Sequence, residues 1–503
     1  MPTEVEPKEL SFAIDRPNSP FLLSLDVGTS GVRAALFDDQ GNEVQGKHIS
    51  RHRRITTNTD FAELDADSIV SEIIKAIDQL IDDPSTQQIE YIAISAFWHS
   101  LIGVDATGLP TTLVLTWADT RAAQKARELR SRFDERVVHG RTGCRFHPSY
   151  WPAKLLWLQT ERQESFQKTK YWLGFAEYLT LRLFGDMSAS ISMASATGLF
   201  NQQSVAWDLD FAKNLGLAPN SLPEIRQRQM PVLSSGFRER WPALAGARLA
   251  AVLGDGAANN IGGGCSTKDK IALMVGTSGA MRVVYEGTPH GELPAALWSY
   301  RVDQTRVVIG GALSDGGGLY QWLTNSLAVD RDPATLQNEL SSIEPDSHGL
   351  TILPFWSGER STGWSLDTRG GIFGLTQQTK PIEIVRAALE AIAYRFAFIA
   401  QALDVVAPGA TIIATGNALR SSPVWPQIIS DVLGRPVMFG GSPEASIRGA
   451  ALLALEAVGK IENIELTFTP VEEIFQPDMS IHDRYKTAMM RQQEIYQLLF
   501  AGN

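Results

Sequence analysis

Apolar positions along the chain fall into two similar series. From residue 21, alternating stretches predict strands over 21–27, 32–38 and 43–50, joined by tight turns, one of them at Asp39-Gln-Gly41-Asn. Ile69, Ile73, Ile77 and Leu80-Ile81 recur at helical spacing and predict a helix over about 65–82. IEYIAISAF (89–97) reads as a buried strand, and LIGVDATGLPTTLVLTW as a hairpin turning at Asp105-Ala-Thr-Gly. From Lys125 to about Trp241 the pattern is mixed and richer in helix. Around Ala250 a second run of strands begins, with LAAVLG, KIALMVGTSGAMRVVYEG and ALWSYRVDQTRVVIGGAL. Helices over about 315–327, 382–404, 422–433 and 444–458 then alternate with strands over 411–415 and 436–439.

Each series opens as strand, short Gly/Thr/Ser turn, strand, strand. Leu25-Asp-Val-Gly-Thr-Ser-Gly31-Val-Arg33 and Met274-Val-Gly-Thr-Ser-Gly279-Ala-Met-Arg282 share the pentad V-G-T-S-G. An identical pentad in the same place relative to two strands marks an internal repeat of a supersecondary unit. Two similar domains facing a cleft follow, and clefts between domains are preferred ligand sites. The length of 503 residues exceeds one ordinary core and accommodates two or three domains.

Composition narrows the function. With 44% hydrophobic and 20% charged residues the chain is globular, and a net charge of -11 argues against non-specific nucleic-acid binding. Cys144 and Cys265 lie far apart and outside any CxxC pattern, which fits a reducing compartment and no structural zinc. No apolar run reaches membrane-spanning length, and the opening MPTEVEPKELSFAIDRPNSP lacks the apolar segment of a secretory signal. Residues 1–20 are expected to be a disordered tail.

Two motifs mislead. Gly41-Asn-Glu-Val-Gln-Gly46-Lys47-His48 approaches a P-loop but lacks the final hydroxyl and lies along a strand. Gly254-Asp-Gly256-Ala-Ala-Asn259 lacks the third glycine of a dinucleotide fingerprint. The paired turns carry more chemistry. Gly28, Thr29 and Ser30, and again Gly276 and Thr277, gather amides and hydroxyls into a concave anion site that is also ordinary turn chemistry. Asp26 precedes the first turn, and a carboxylate aimed at phosphates needs a divalent cation between them. Arg33, one strand later, is placed to meet the same phosphates. Asp255 stands between Gly254 and Gly256 at a strand end, open to close approach, which suits a general base. Gly310 to Gly318, with Gln321 and Trp322, and Thr415-Gly416-Asn417-Ala418 each end a strand and open a helix, where free amides can meet a nucleotide. In the first half, Trp98-His99-Ser100 and Trp117-Ala-Asp119-Thr-Arg121 cluster aromatic, acid and base at strand ends, the usual means of holding a sugar.

Together these stretches resemble the FGGY family of carbohydrate kinases from about residue 21 to 460. Asp26 to Arg33 is similar to its first phosphate motif, Gly276 to Gly279 to its second, and Gly254-Asp255 to its catalytic segment. Thr415-Gly-Asn-Ala…Trp425…Asp431-Val-Leu-Gly-Arg-Pro436 is similar to its adenosine segment. The resemblance implies an α/β protein of the actin-like ATPase fold, with two ribonuclease-H-like domains hinged around an ATP cleft. It divides the chain at 21–253 (sugar and first phosphate motif) and 254–503 (nucleotide). It implies ATP and Mg²⁺ as cofactors, Asp255 as the base, and Asp26, with Asp255 sharing, as the metal ligands. Nucleotide contacts fall on Gly28, Thr29, Ser30, Arg33, Gly276, Thr277, Gly317, Gln321, Gly416, Asn417 and Ser421.

Within the family the gluconokinase branch fits best. Its marks are Trp98-His99-Ser100-Leu, Trp117 to Arg121, Thr142-Gly…His147-Pro148…Lys154 and Ser195-Ala-Thr-Gly-Leu-Phe-Asn201. Leu353-Pro-Phe-Trp-Ser-Gly-Glu-Arg360 and Asp367-Thr-Arg369-Gly-Gly…Phe373-Gly-Leu-Thr376 are shared more widely. Trp98, His99, Trp117, Asp119, Arg121, His147, Lys154 and Asp255 then line the sugar site, and Arg121, Lys154 and the two histidines are candidates for a gluconate carboxylate. Asn417 stands where a second glycine is usual, Trp98 where methionine is common, and Arg145-Phe146 where a proline-containing pair is usual. Alternatives are a kinase for xylulose, ribulose or glycerol, a non-catalytic nucleotide-binding protein of this fold, and a plain ATPase. A cytoplasmic location is expected, with no nucleic-acid or membrane partner; homodimerisation stays open.

Overall fold

The first apolar series folds into a mixed five-stranded sheet. In the computed structural model, which describes residues 20–51, 62–81, 88–226, 230–289, 291–441, 444–468 and 471–500, its strands are β1 (Leu22–Val27), β2 (Gly31–Phe37), β3 (Glu43–Arg51), β4 (Tyr91–Ala96) and β5 (Arg248–Gly254). The tail expected over 1–20 lies, apart from Pro20, outside these residues. The strand order is β5-β4-β1-β2-β3, with β1, β4 and β5 parallel and β1-β2-β3 antiparallel. β1 is buried at all six positions, as a strand covered on both faces must be. Helix α1 (Ala66–Leu80) starts where Asp65 accepts from the Ser68 amide at 2.7 Å, and it packs Ile69, Ile73 and Ile77 toward β2 and β3. The near-P-loop at 41–48 runs into β3, so it is no phosphate loop.

β5 corrects one expectation. The LAAVLG stretch does not open the second run of strands; it pairs in parallel with β4 and completes the first sheet. The second sheet has seven strands: β6 (Lys270–Val275), β7 (Gly279–Glu286), β8 (Trp298–Arg301), β9 (Arg306–Leu313), β10 (Thr411–Thr415), β11 (Val437–Gly440) and β12 (Val471–Phe475). Their order is β8-β9-β7-β6-β10-β11-β12. Parallel β6-β10-β11 in the second sheet answers parallel β1-β4-β5 in the first.

The repeated pentad closes a hairpin in both sheets, but in two registers. Val27 faces Val32 across the first turn, whereas Val275 faces Gly279 across the second. The second turn is therefore one residue tighter. It closes with the Gly276 amide on the Ser278 carbonyl (2.9 Å), where the first uses the Gly28 amide on the Gly31 carbonyl (2.9 Å).

Helix α2 (Asp255–Gly262) leaves β5, and α3 (Gly317–Ser326) leaves β9. The long α4 (Pro381–Leu403) lies across the second sheet. It is followed by the short α5 (Asn417–Ser421), then α6 (Val424–Leu433), α7 (Ala445–Ala457) and α8 (Met479–Phe500). β12 and α8 lie beyond the elements expected from periodicity. Among the described residues no helix is long and apolar enough to cross a membrane.

α7 belongs to the second series yet packs on β1, β4 and β5, placing Ile447, Ala450, Ala451 and Leu452 in the first core. It reaches that sheet by crossing α2 at backbone contact. A Cβ at Gly262 would overlap the Ala445 carbonyl, and one at Gly449 would overlap the Ala258 carbonyl. Gly449→Ala should therefore lower unfolding stability by about 3 kcal/mol or leave the chain insoluble, since helix backbones cannot shift independently. Gly236→Ala, inside a helix and with a Cβ that would meet nothing within 4 Å, should not lower the urea midpoint.

Candidate active site

Two carboxylates meet where parallel strands end. Asp26 on β1 and Leu253 on β5 both stand opposite Ser95 of the strand between them, so Asp255 emerges one residue past the sheet, beside Asp26. Asp26 is buried; it accepts from Ser95 Oγ at 2.8 Å and pairs with Arg33 at 2.8 Å. Burial pushes its pKa up, with Arg33 and Ser95 opposing. Asp255 opens α2 and accepts the Gly256 amide at 2.8 Å. Desolvation pushes its carboxyl up to about 6; buried Arg282 opposes this and the Asp26 charge adds to it.

The glycines around Asp255 have a different reason from the one expected. A Cβ at Gly254 would overlap the indole nitrogen of Trp98, and one at Gly256 would overlap its six-membered ring. They are bare so that Trp98 can lie against the backbone carrying the acid. Trp98 Nε1 donates to the Ser192 carbonyl (3.1 Å), and Ser192 Oγ accepts from the Gly254 amide (3.1 Å). Trp98 thus floors the site with its polar atom already engaged.

The turns at 276–278, 316–318 and 416–418, expected to meet the nucleotide, converge. The Gly317 amide donates to the Gly276 carbonyl (2.8 Å), and the amides of Gly316 and Gly318 donate to the Thr277 carbonyl (3.1 and 2.9 Å). These amides hold the second hairpin turn; the expectation of free N–H groups at the start of α3 is corrected. A Cβ at Gly317 would overlap Ala418, and Gly416, at φ +114°, sits where any side chain would overlap the Val275 carbonyl. The walls are therefore bare backbone. Gln321, Asn417, Ser421, Thr277 and Ser30 are exposed, while Gly28, Thr29 and Gly276 are half-buried. Arg33 is not open toward a phosphate: besides Asp26 it pairs with Glu444 at 3.0 Å, tying β2 to the start of α7.

The residues expected to meet the sugar gather after β4. His99 adopts a left-handed backbone (φ +64°), with Nδ1 2.7 Å from the Ala196 carbonyl and its ring between Tyr150 and Tyr300. Desolvation holds its pKa well below the usual range, so it is neutral. His147 is also neutral, pushed down to about 3 by burial, and both its nitrogens are engaged, by Ser149 Oγ (2.9 Å) and the Glu359 carbonyl (3.1 Å). Fully buried Lys154 donates to the His99 carbonyl at 2.6 Å, its pKa pushed down to about 7 by burial. Arg121 does not offer the expected fork. It lies on Asp119 and Glu63, each at 2.5 Å, above the Trp157 ring. Asp119 is consumed in the same pair. Trp117 is half-buried under the guanidinium of Arg360, 5.3 Å from its ring.

Motif reasoning missed Arg282, Arg360 and the Tyr150–Tyr300 hydroxyl pair (2.6 Å) as part of this cluster. Arg282 follows the second pentad and Arg360 ends a widely shared motif, so both were visible as letters; their direction into the site was not. The Thr142-Gly143 mark proves structural: Gly143 ends the helix Glu135–Thr142 in a left-handed turn and accepts the Ser299 amide at 3.0 Å, docking β8.

Two mixed α/β sheets, each with a parallel core and a Gly-Thr-Ser hairpin, are the plan of the actin-like ATPase fold. Residues 21–262 match the N-terminal domain, and residues 271–458 the C-terminal domain, of the FGGY family of carbohydrate kinases, and the chain belongs to that family. It is 31% identical over 465 residues to a gluconokinase of Bacillus subtilis (strain 168), covering 88% of this chain and 89% of that one. A gluconate kinase from Lactobacillus acidophilus superposes with a TM-score of 0.87 at 26% identity, covering 95% of this chain and 98% of that one. A ligand-bound xylulose kinase from the same organism superposes with a TM-score of 0.88, also at 26% identity and with the same coverage.

The raised Asp255 pKa is a stability statement. The folded state keeps this proton at pH values where the unfolded chain has lost it, so stability falls as pH rises from about 4 through about 6. Without nucleotide or metal, Asp255→Asn should gain about 1–3 kcal/mol over the parent at pH 8. The gain should vanish below pH about 4, as urea unfolding at both pH values would show.

Proposed function

We propose that the chain transfers the γ-phosphoryl group of ATP to the primary hydroxyl of D-gluconate, giving 6-phosphogluconate. The observation that carries this reading is the 31% identity to a gluconokinase over 88% of the chain. A second reading, a ketopentose such as xylulose as substrate, is favoured by the equal structural likeness to a xylulose kinase.

Asp255 is the proton acceptor. With its pKa near 6 it is deprotonated at neutral pH, yet more basic than an ordinary aspartate, as suits removal of a hydroxyl proton. The Trp98 floor fixes the backbone of Asp255. Neutral His99, its Nδ1 committed to the Ala196 carbonyl, keeps Nε2 for a sugar hydroxyl.

The residues also fit the two groups that the family implies. Thr277, Gln321, Asn417 and Ser421, exposed around the converging turns, would meet ATP. Asp26 and Asp255 are neighbouring acids whose pKa values are both raised, an arrangement that a divalent cation relieves, so these two would hold Mg²⁺. Bound there, Mg²⁺ neutralises phosphate oxygens. Arg33 clamps Asp26 from below and Arg282 sets the field at Asp255, so the acids keep their places. Cys144 and Cys265 are buried free thiols, which suits a reducing, cytoplasmic setting within the same proposal.

ADP release from Mg-ATP with gluconate, xylulose, ribulose, ribitol, glycerol and no sugar tests the reading. Turnover with gluconate is expected, falling about 10²–10⁴-fold in Asp255→Asn. kcat/KM should fall below pH about 6 as Asp255 takes up its proton. Turnover with xylulose alone would favour the second reading, and sugar-independent hydrolysis would mark a plain ATPase. ATP binding without turnover on any sugar would mark a non-catalytic module.

A further inference from the structure

His99 leaves β4 in a conformation that a residue with a Cβ adopts only under constraint, at φ +64°. The constraint comes from one helix, Trp151–Glu161. Lys154 Nζ donates to the His99 carbonyl at 2.6 Å, and Trp151 Nε1 donates to the Ser100 carbonyl at 2.7 Å. Two consecutive carbonyls are thus held by side chains three apart on one helix face.

The start of the same helix also sets the imidazole. Tyr150, the residue before it, lies edge-on to the ring, with centroids 5.0 Å apart. The Trp151 amide donates to the Thr197 carbonyl at 2.9 Å, and so seats the neighbouring Ala196 carbonyl that meets His99 Nδ1 at 2.7 Å. With the backbone held at its carbonyl and the ring held at Nδ1, the direction of Nε2 is settled.

Lys154 is a costly way to fill its place. Its side chain is fully buried, and among the described residues no carboxylate pairs with it. Besides the His99 carbonyl its ammonium reaches only the Leu115 carbonyl, at 3.4 Å. Burial of an ammonium on neutral acceptors costs stability that an apolar side chain of the same length would not. Packing therefore does not account for a lysine here, whereas the strained turn at His99 does.

We propose that Lys154 is a positioning residue: by holding the His99 carbonyl it fixes the left-handed turn that presents the His99 imidazole to the sugar. The proposal rests on the reading of His99 as a sugar contact given above.

A double-mutant cycle of Lys154→Met and His99→Ala tests it, with kcat and KM measured for gluconate and for ATP. Lys154→Met keeps the stem and removes the donor. It should raise KM for gluconate about 10-fold and change kcat and the KM for ATP less than about 3-fold. In the His99→Ala background the same substitution should cost less than about 2-fold, because the ring it positions is gone. A purely structural lysine would cost as much with the ring as without it, so equal losses in the two backgrounds would overturn the role of Lys154 alone. A KM for ATP raised as much as that for the sugar would overturn it as well. Thermal unfolding with and without ATP verifies that each variant folds and binds nucleotide. If Lys154→Met does not fold, Lys154→Gln, whose shorter chain draws the donor back from the carbonyl, goes through the same cycle with the same two outcomes. An unchanged KM for gluconate in His99→Ala would overturn the sugar contact of His99, and the role of Lys154 with it. A parent that ignores gluconate and phosphorylates xylulose would overturn the gluconate reading only, and the cycle on xylulose then decides Lys154.

Discussion

Two helices touching backbone to backbone hold this molecule together. α2 continues the strand that delivers Asp255, and α7 starts in the second series yet covers the first sheet. Their crossing, through Gly262 and Gly449, leaves no space for a methyl group on either side. The crossing fixes the height at which Asp255 leaves the sheet and brings Glu444 to Arg33, which in turn holds Asp26. Positions of both acids thus depend on one contact between elements almost two hundred residues apart.

Around that frame, charge is sorted by role. Burial raises the pKa of both acids, and the Asp26 charge adds to the shift at Asp255. Of the cations beside His99, Arg121 is neutralised by acids, and Lys154 has its pKa pushed down to about 7 by burial. Histidines there are neutral hydrogen-bonding groups, not charges. A site sorted in this way has few uncommitted charges, and those few decide what it binds.

Strand and helix periodicity made the two-sheet plan legible, and the repeated V-G-T-S-G pentad located both hairpin turns. Asp255 could be placed at the end of a strand, although its flanking glycines make room for the Trp98 ring and not for open approach. What could not be read was direction. Arg121 belongs to a sugar-site motif yet turns to Asp119 and Glu63, whereas Arg360, in a motif of wide occurrence, turns toward the cluster. Nor did the pentads reveal that identical letters close with a one-residue difference in register, which hydrogen bonds to neighbouring strands decide. LAAVLG was placed with the wrong sheet for a related reason: strand pairing across some 150 residues leaves no local trace.

The floor beneath Asp255 constrains substitution. Trp98 fits only because residues 254 and 256 are bare, and those two glycines are buried only because an indole covers them. A side chain at either glycine collides with the ring, and a smaller residue at 98 leaves a void under Asp255 and strips the Ser192 carbonyl of its donor. Within this chain the three positions are coupled: a side chain at 254 or 256 becomes admissible only together with a smaller residue at 98.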